Sequence, residues 1–233
     1  PWAGQWRRRA GAATVLDFGL DKPAAIGASA IRSRGVEGIS FIASTPDGDI
    51  SVRLAFPGLH NVANALAAIA VGLACQLSLV EIRDGLESVE PVAGRLLASR
   101  SSDGVTVIDD SYNANPGSVR AAIDTLADCG GRRTLLLGAM RELGEDSEAL
   151  HREIGEYART AGIDQLWGVG PELRDCVAAF GAGGRFFTDR AAAQAALAGA
   201  FDGADTVLVK GSRSAGMEQL SQALLADRAV GEG

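Results

Sequence analysis

Short runs of alternating apolar and polar residues occupy the first 56 positions of the chain, and this period is typical of β-strands. Residues 45–48 separate the last two runs, and Pro46 and Gly48 supply the backbone angles of a tight turn. The pattern therefore predicts an antiparallel meander of strands, whose runs cover residues 14–20, 25–32, 38–44 and 49–56.

A helical period replaces this alternation after residue 60. Residues 61–76 are rich in Ala and Leu and leave no wide polar face, which predicts a buried helix. Ser78 and Glu81 form a capping-box pattern that opens a second, short helix. Residues 91–95 are interpreted as a linker.

From Gly104 onward, short apolar runs alternate with helical segments. Strands that are apolar throughout are expected where helices cover both faces of a sheet. Five successive β-α units predict an α/β fold, with an open, doubly wound and mostly parallel sheet. The predicted strands are 105–109, 134–138, 165–169, 185–187 and 206–210, and the helices that follow them begin at Pro116, about Ser147, Pro171, Asp189 and Ser214.

Composition restricts the partners of the protein. With 233 residues, 47% of them hydrophobic, the chain can bury a substantial core. The net charge of −7 argues against binding to nucleic acid, because phosphate backbones attract basic surfaces. The basic run Arg7-Arg8-Arg9 is interpreted as a solvated face. No apolar run approaches the roughly 18 residues that would predict a membrane span.

The cysteines and the start of the chain bear on its location. Cys75, Cys129 and Cys176 are odd in number and far apart, which predicts reduced thiols packed as small hydrophobes in a cytoplasmic protein. The start, residues 1–4, resembles no signal peptide and lacks an initiator Met, which indicates a piece of a longer protein.

Three polar loops follow predicted strands, at the sheet edge where open α/β sheets bind ligands. In residues 109–116, Asp109 and Asp110 suit ribose hydroxyls or a cation, and a functional role is favoured for Asp110. Asn115 is explained at least as well as a helix N-cap before Pro116. The second loop, residues 138–144, is polar and contains glycine.

The third loop, residues 210–214, offers a cation, a hydroxyl and a guanidinium at a helix start, where anions are favoured. These groups belong to Lys210, Ser212 and Arg213, and the alternative is a solvated loop with Ser214 as N-cap.

A fourth candidate lies at the start of the first long helix. Asn61 and Asn64 share one helix face, and their amides can read the edge of a purine. A cap explains Asn61 as well, and a structural role explains His60 better than a catalytic one.

Together these segments resemble the Mur ligases. Residues 58–64 are similar to the adenine-contacting motif of that family, and Gly94-Arg95 resembles the pair at the junction of its central and last domains. The order and spacing match from about residue 50 to 226, and the other matching segments are 109–116, 138–144 with Ser147 and His151, and 210–214 with Met217 and Glu218.

The resemblance implies a three-domain ligase. Residues 1–96 would be the end of its central ATP-binding domain and residues 97–233 its Rossmann-like last domain. Lys22 and Lys210 are the only lysines, and neither lies in a G-x-x-x-x-G-K-[ST] loop. The phosphate-binding loop, a carbamylated lysine and most Mg²⁺ ligands are therefore expected upstream, and the chain alone is expected to be inactive.

The implied reaction belongs to peptidoglycan precursor synthesis. ATP would phosphorylate the terminal carboxylate of UDP-N-acetylmuramoyl-tripeptide, and D-alanyl-D-alanine would attack the acyl phosphate, in a monomeric enzyme. The resemblance implies adenine contacts for His60, Asn61 and Asn64, a catalytic phosphate contact for Arg95, nucleotide contacts for Asp110, Tyr112 and Asn115, and dipeptide contacts for Lys210, Ser212 and Arg213.

Three alternatives remain. A folylpolyglutamate synthetase shares the architecture and chemistry, although residues 109–116 and 210–214 favour the muramoyl enzyme. A nicotinamide-dependent oxidoreductase would need G-x-G-x-x-G after the first strand of the parallel sheet, where this chain has Asp-Asp-Ser-Tyr-Asn. The third alternative is a non-catalytic nucleotide-binding module.

Overall fold

The computed structural model describes residues 3–226, which form two compact units. The first unit contains the residues up to 34, 38–55 and 59–89, and the second contains 35–37, 56–58 and those from 90 onward. The predicted domains extend over residues 1–2 and 227–233, which lie outside the described part of the chain. Their boundary at residue 96 stays a prediction.

An antiparallel sheet in the order β1-β2-β3 is the centre of the first unit, and it confirms the predicted meander. The Thr45 hydroxyl closes the predicted turn by donating to the carbonyl of Gly48, at 2.8 Å. The strands are β1 (Gly27–Ser33), β2 (Ile39–Thr45) and β3 (Gly48–Leu54).

Three helices complete this unit: α1 (Ala3–Ala10), α2 (Leu59–Ala74) and α3 (Leu79–Glu87). The two predicted helices are confirmed, and α3 begins at the predicted capping box of Ser78 and Glu81. Helix α1 was not predicted. The strand predicted for residues 14–20 is wrong, because this segment forms a loop with one isolated bridge, and the Asp17 carboxylate accepts from the amide of Ala25.

A six-stranded sheet in the order β4-β5-β9-β6-β7-β8 is the centre of the second unit. All neighbours pair in parallel except the edge strand β4, so the predicted, mostly parallel sheet is confirmed. Strand β4 has only four residues and was not predicted. The strands are β4 (Leu97–Arg100), β5 (Thr106–Asp110), β6 (Arg132–Gly138), β7 (Gln165–Val169), β8 (Gly184–Phe187) and β9 (Asp205–Lys210).

Helices cover both faces of this sheet. One core contains side chains such as Val119, Ile154 and Cys176, from the three helices that follow β5, β6 and β7. The other core contains side chains such as Ala193 and Leu220, from the two helices that follow β8 and β9. This arrangement confirms the doubly wound fold. The helices are α4 (Pro116–Ala127), α5 (Ser147–Thr160), α6 (Arg174–Phe180), α7 (Arg190–Ala195) and α8 (Glu218–Leu225).

Two predicted helix starts differ from the structure. Residues Pro171–Leu173 and Arg213–Ala215 form short 3-10 turns, so α6 and α8 begin three and four residues later than predicted. Gly216 follows the second turn, and its left-handed φ of 62° separates that turn from α8.

The cysteines differ in environment. Cys176 is buried and Cys129 partly buried, and burial raises the pKa of their thiols to about 12 and about 11. Cys75 is exposed, so the prediction that it packs as a small hydrophobe is wrong. None of the helices within residues 3–226 combines the length and the apolar character needed to cross a bilayer.

Candidate functional site

Strand β9 lies between β5 and β6, and this order places three loops side by side at the carboxyl edge of the sheet. They surround an open cavity of about 600 Å³, which is lined by residues 112–115, 141–143 and 212–214. The structure thus brings together the three loops that the sequence singled out.

Two guanidiniums approach the ring of Tyr112. The Arg95 guanidinium lies 4.4 Å from the ring centroid and that of Arg213 lies 5.8 Å away. Cation–π attraction favours both contacts. The amide of Tyr112 donates to the carbonyl of Gly94 at 3.0 Å, and this bond fixes the loop beside Arg95. The cluster can therefore present paired donors to a phosphate or carboxylate.

Gly94 permits this approach. Its φ of 75° is left-handed, and an added Cβ would lie 3.2 Å from the amide nitrogen of Tyr112. The backbone conformation and the close approach to Tyr112 therefore both favour glycine at position 94.

A largely buried ion pair holds the loop after β5. The Lys210 ammonium is 2.5 Å from Asp110 Oδ2, and it donates to the carbonyl of Asn113 at 2.9 Å. Only 3% of the Lys210 side chain and 14% of the Asp110 side chain are exposed. Burial raises the pKa of Asp110, although the charge of Lys210 acts to lower it.

Neither Lys210 nor Asp110 lines the cavity, although the sequence suggested a direct ligand contact for each. The structure gives Lys210 and Asp110 a part in positioning the loop that carries Tyr112 and Asn113. Direct contacts of Lys210 with a dipeptide and of Asp110 with a nucleotide stay predictions.

The two carboxylates at the end of β5 have partners within the protein. Asp110 faces an ammonium, while Asp109 Oδ1 accepts from the amide of Ser111 and from the hydroxyl of Ser221, at 3.1 and 3.2 Å. A contact of these carboxylates with a ribose or a cation stays a prediction. Within residues 3–226, His, Cys, Asp and Glu form no group of three or more that could hold a metal ion.

Asn115 is the N-cap of α4. Its Oδ1 accepts from the backbone amide of Ser118 at 2.9 Å, and the backbone amide of Asn115 donates to Ser118 Oγ at 3.0 Å. The structure confirms the cap. Asn115 also lines the cavity, so its predicted contact with a nucleotide stays a prediction.

We expect Asn115→Ala to lower the free energy of unfolding by about 1 kcal/mol, because it removes the acceptor for the Ser118 amide. Asn115→Asp retains that acceptor and should lose much less. Denaturant titration of both variants measures the difference. An Ala variant as stable as the parent would contradict the energetic importance of the cap.

The loop after β9 is anchored through its backbone. The amide of Ser212, a buried residue, donates to the carbonyl of Ala139 at 3.0 Å, and this bond joins the loops after β9 and β6. Ser212 Oγ lies 3.3 Å from Ser214 Oγ. Ser214 lies inside the 3-10 turn, so the alternative that made it an N-cap is wrong.

His60, Asn61 and Asn64 belong to the first unit, in the first turns of α2. The helix begins at Leu59, so the alternative that made Asn61 a cap is wrong. The Asn64 amide donates to Asn61 Oδ1 at 3.4 Å, and the two amides therefore share one helix face. Their predicted contact with adenine stays a prediction.

Two residues near the cavity were not among the candidates. Arg141 lines it and pairs with Glu172 at 2.7 Å, and His151 is fully buried behind the loop after β6. Arg141 lies in the loop of residues 138–144, which the sequence predicted to bind a ligand. Its positive charge could have identified it as a candidate for binding an anion.

The chain belongs to the Mur ligase family. The sequence profile described as "Mur ligase, glutamate ligase domain" matches residues 94–213, and the one described as "Mur ligase middle domain" matches residues 1–72. The family resemblance seen in the sequence is thus confirmed.

Comparison with individual proteins shows which members of the family this chain resembles. The chain is 43% identical over 196 residues to the UDP-N-acetylmuramoyl-tripeptide–D-alanyl-D-alanine ligase of Escherichia coli K12, and the match covers 83% of this chain and 42% of the relative. A crystal structure of MurF from Acinetobacter baumannii superposes with a TM-score of 0.87 at 31% identity, over 96% of this chain and 49% of that one.

A third relative is a structure of MurF from Thermotoga maritima in complex with ADP, with a TM-score of 0.76 at 24% identity, over 90% of this chain and 48% of that one. This likeness supports the fold. The chain spans less than half the length of each of the three relatives.

Proposed function

We propose that the whole protein to which this chain belongs is an ATP-dependent ligase that joins D-alanyl-D-alanine to UDP-N-acetylmuramoyl-tripeptide through an acyl phosphate. The observation that carries the proposal is the cavity between the three loops, with Arg141 and Arg213 in its lining. We place residues 1–96 in the central domain and 97–233 in the last domain of a cytoplasmic, monomeric enzyme of peptidoglycan precursor synthesis.

Anions are present throughout such a reaction, since ATP, the acyl phosphate, the released phosphate and the dipeptide carboxylate are all negative. Catalysis of phosphoryl and acyl transfer depends mainly on positioning and charge stabilisation. The guanidiniums of Arg95 and Arg213, held against Tyr112, suit that task. We assign phosphate contact to Arg95, and dipeptide contact to Ser212 and Arg213.

The remaining assignments concern ATP and its metal. We propose adenine contacts for His60, Asn61 and Asn64, because the two amides lie on one helix face and can pair with a purine edge. Tyr112 and Asn115, in the cavity lining, are proposed to contact the nucleotide. Mg²⁺ ligands are expected in the part of the protein outside this chain.

In the whole protein, Arg95→Ala is expected to lower turnover at least about tenfold, which corresponds to about 1.4 kcal/mol of transition-state stabilisation. Arg95→Lys should restore only part of it, because an ammonium lacks the planar fork that binds phosphate and stacks on Tyr112. Steady-state phosphate release measures both variants. Unchanged kinetics in the Ala variant would exclude the phosphate role.

The function itself is tested by measuring phosphate release by the whole protein with ATP, UDP-N-acetylmuramoyl-tripeptide and D-alanyl-D-alanine. Release that requires all three substrates is expected. Activity with a folate and glutamate instead would identify a folylpolyglutamate synthetase. ATP binding without turnover on either substrate set would support a non-catalytic module.

A further inference from the structure

One peptide group, between Ala139 and Met140, is held at both ends. Its carbonyl accepts from the amide of Ser212 at 3.0 Å, and its N–H donates to His151 Nε2 at 3.0 Å. The first bond reaches the loop after β9 and the second reaches helix α5. The peptide group therefore couples two loops of the cavity to a buried imidazole.

We propose that His151 is a positioning residue of the ligase site, which orients the Ala139–Met140 peptide and through it the loop that carries Ser212 and Arg213. This inference rests on the proposed function for its effect on turnover. The arrangement of the two loops can be tested without turnover.

The hydrogen bonds define the tautomer of the imidazole. A backbone N–H can only donate, so Nε2 of His151 must be unprotonated to accept from Met140. The proton is then on Nδ1, which donates to the carbonyl of Ser147 at 2.7 Å. Both ring nitrogens are thus satisfied within the protein, and the ring is neutral.

Burial makes the hydrogen bond from the Met140 amide to His151 difficult to replace. His151 is fully buried and Met140 is 2% exposed, so bulk water is poorly placed to replace a lost acceptor for the Met140 amide. A buried N–H without an acceptor is costly. The peptide group would have to rotate or shift to find a partner, and the Ser212 amide bonded to its carbonyl would be disturbed with it.

The backbone near this peptide needs such support. Glu142, two residues beyond Met140 and in the cavity lining, has a φ of 62°, a conformation that non-glycine residues adopt only at a cost. Arg141 lies between them, lines the same cavity and pairs with Glu172 at 2.7 Å. A peptide fixed by His151 holds this part of the loop in its strained conformation.

The test compares three variants of the whole protein. His151→Leu removes the acceptor, and His151→Gln offers a side-chain oxygen in its place. Ile154→Val is the matched control, because Ile154 is equally buried on α5 but belongs to the apolar core and has no polar atom to bond the loops.

We expect His151→Leu to lower kcat/KM for D-alanyl-D-alanine at least tenfold, with His151→Gln recovering most of that loss and Ile154→Val changing it less than twofold. Hydrogen exchange followed by mass spectrometry should show faster exchange at Met140 and Ser212 in the Leu variant, and near-parental exchange in the other two. The nitrogen-15 spectrum of the parent should show His151 protonated at Nδ1 and not at Nε2.

Several results would overturn the inference. One is a parent His151 protonated at Nε2, and another is a Leu variant with parental exchange at Met140 and Ser212. Equal losses of kcat/KM in the Leu and Gln variants, or in Ile154→Val, would reduce His151 to a general packing role. If the parent lacks ligase activity, the proposed function fails, while the exchange and nitrogen-15 results still decide the positioning.

Discussion

Lys210→Met is expected to lower the free energy of unfolding of the second unit by about 3–5 kcal/mol, because it leaves the largely buried Asp110 carboxylate without its partner. Lys210 also donates to the carbonyl of Asn113, so the loop that carries Tyr112 should loosen as well. Denaturant titration of the parent and the variant measures the loss. A variant within about 1 kcal/mol of the parent would contradict the importance of the pair.

A second substitution separates the pair from the packing of the long side chain. Lys210→Met combined with Asp110→Asn removes both charges, and it should recover a large part of the stability lost in the single variant. If the double variant is as unstable as Lys210→Met alone, the loss comes from packing and not from an unpaired charge.

The deficit of the single variant should also depend on pH. Burial already raises the pKa of Asp110, and loss of Lys210 removes the two largest causes that lower it, so the folded variant binds this proton more tightly than the unfolded chain does. Stability therefore falls as pH rises from the unfolded pKa of about 3.9 through the folded pKa. The difference from the parent should shrink as the medium is acidified, and a constant difference would contradict this cause.

Gly155→Ala is expected to destabilise the second unit by about 2–3 kcal/mol, even though alanine is intrinsically better in a helix by about 1 kcal/mol. A Cβ at Gly155 would lie 2.0 Å from the backbone carbonyl oxygen of Cys176, so α5 and α6 would have to move apart. Because the obstacle is backbone, no side-chain rotation can relieve it. Thermal or denaturant unfolding measures the effect.

Gly117→Ala is the matched control within the same unit. Gly117 lies in the first turn of α4, and an added Cβ would meet only Asn115 Oδ1 at 3.5 Å, an ordinary contact. The result should lie between no change and a gain of about 1 kcal/mol. A Gly155 variant that behaves like this control would show that α5 and α6 have room for a methyl group.

The sequence predicted most of the second unit because its strands are short, apolar throughout and separated by helices. Strand β4 was not predicted, because its four residues, Leu97–Arg100, are too few to show a period of alternating apolar and polar positions. In the first unit, α1 was not predicted because its Arg-rich sequence lacks the apolar stripe of an amphipathic helix. A strand was wrongly predicted for residues 14–20 because the loop around Asp17 has a composition similar to that of a strand.

The candidate site was predictable as a set of loops but not as a set of contacts. The rule that ligands bind beyond the carboxyl ends of strands marked all three loops. It could not show that Lys210 is buried against Asp110, because the two residues are 100 positions apart in the chain. The pairing depends on the position of β9 between β5 and β6, which the local pattern does not contain.

That position has a consequence for biosynthesis. Residues Asp205–Lys210 form a central strand of the sheet although they follow the other five in the chain, so β5 and β6 have no strand between them until this segment has left the ribosome. Until then each exposes an unpaired backbone edge, which is prone to wrong association. The nascent unit must therefore stay incomplete through most of its translation, and its native hydrogen-bond network closes late, in a step that joins distant parts of the chain.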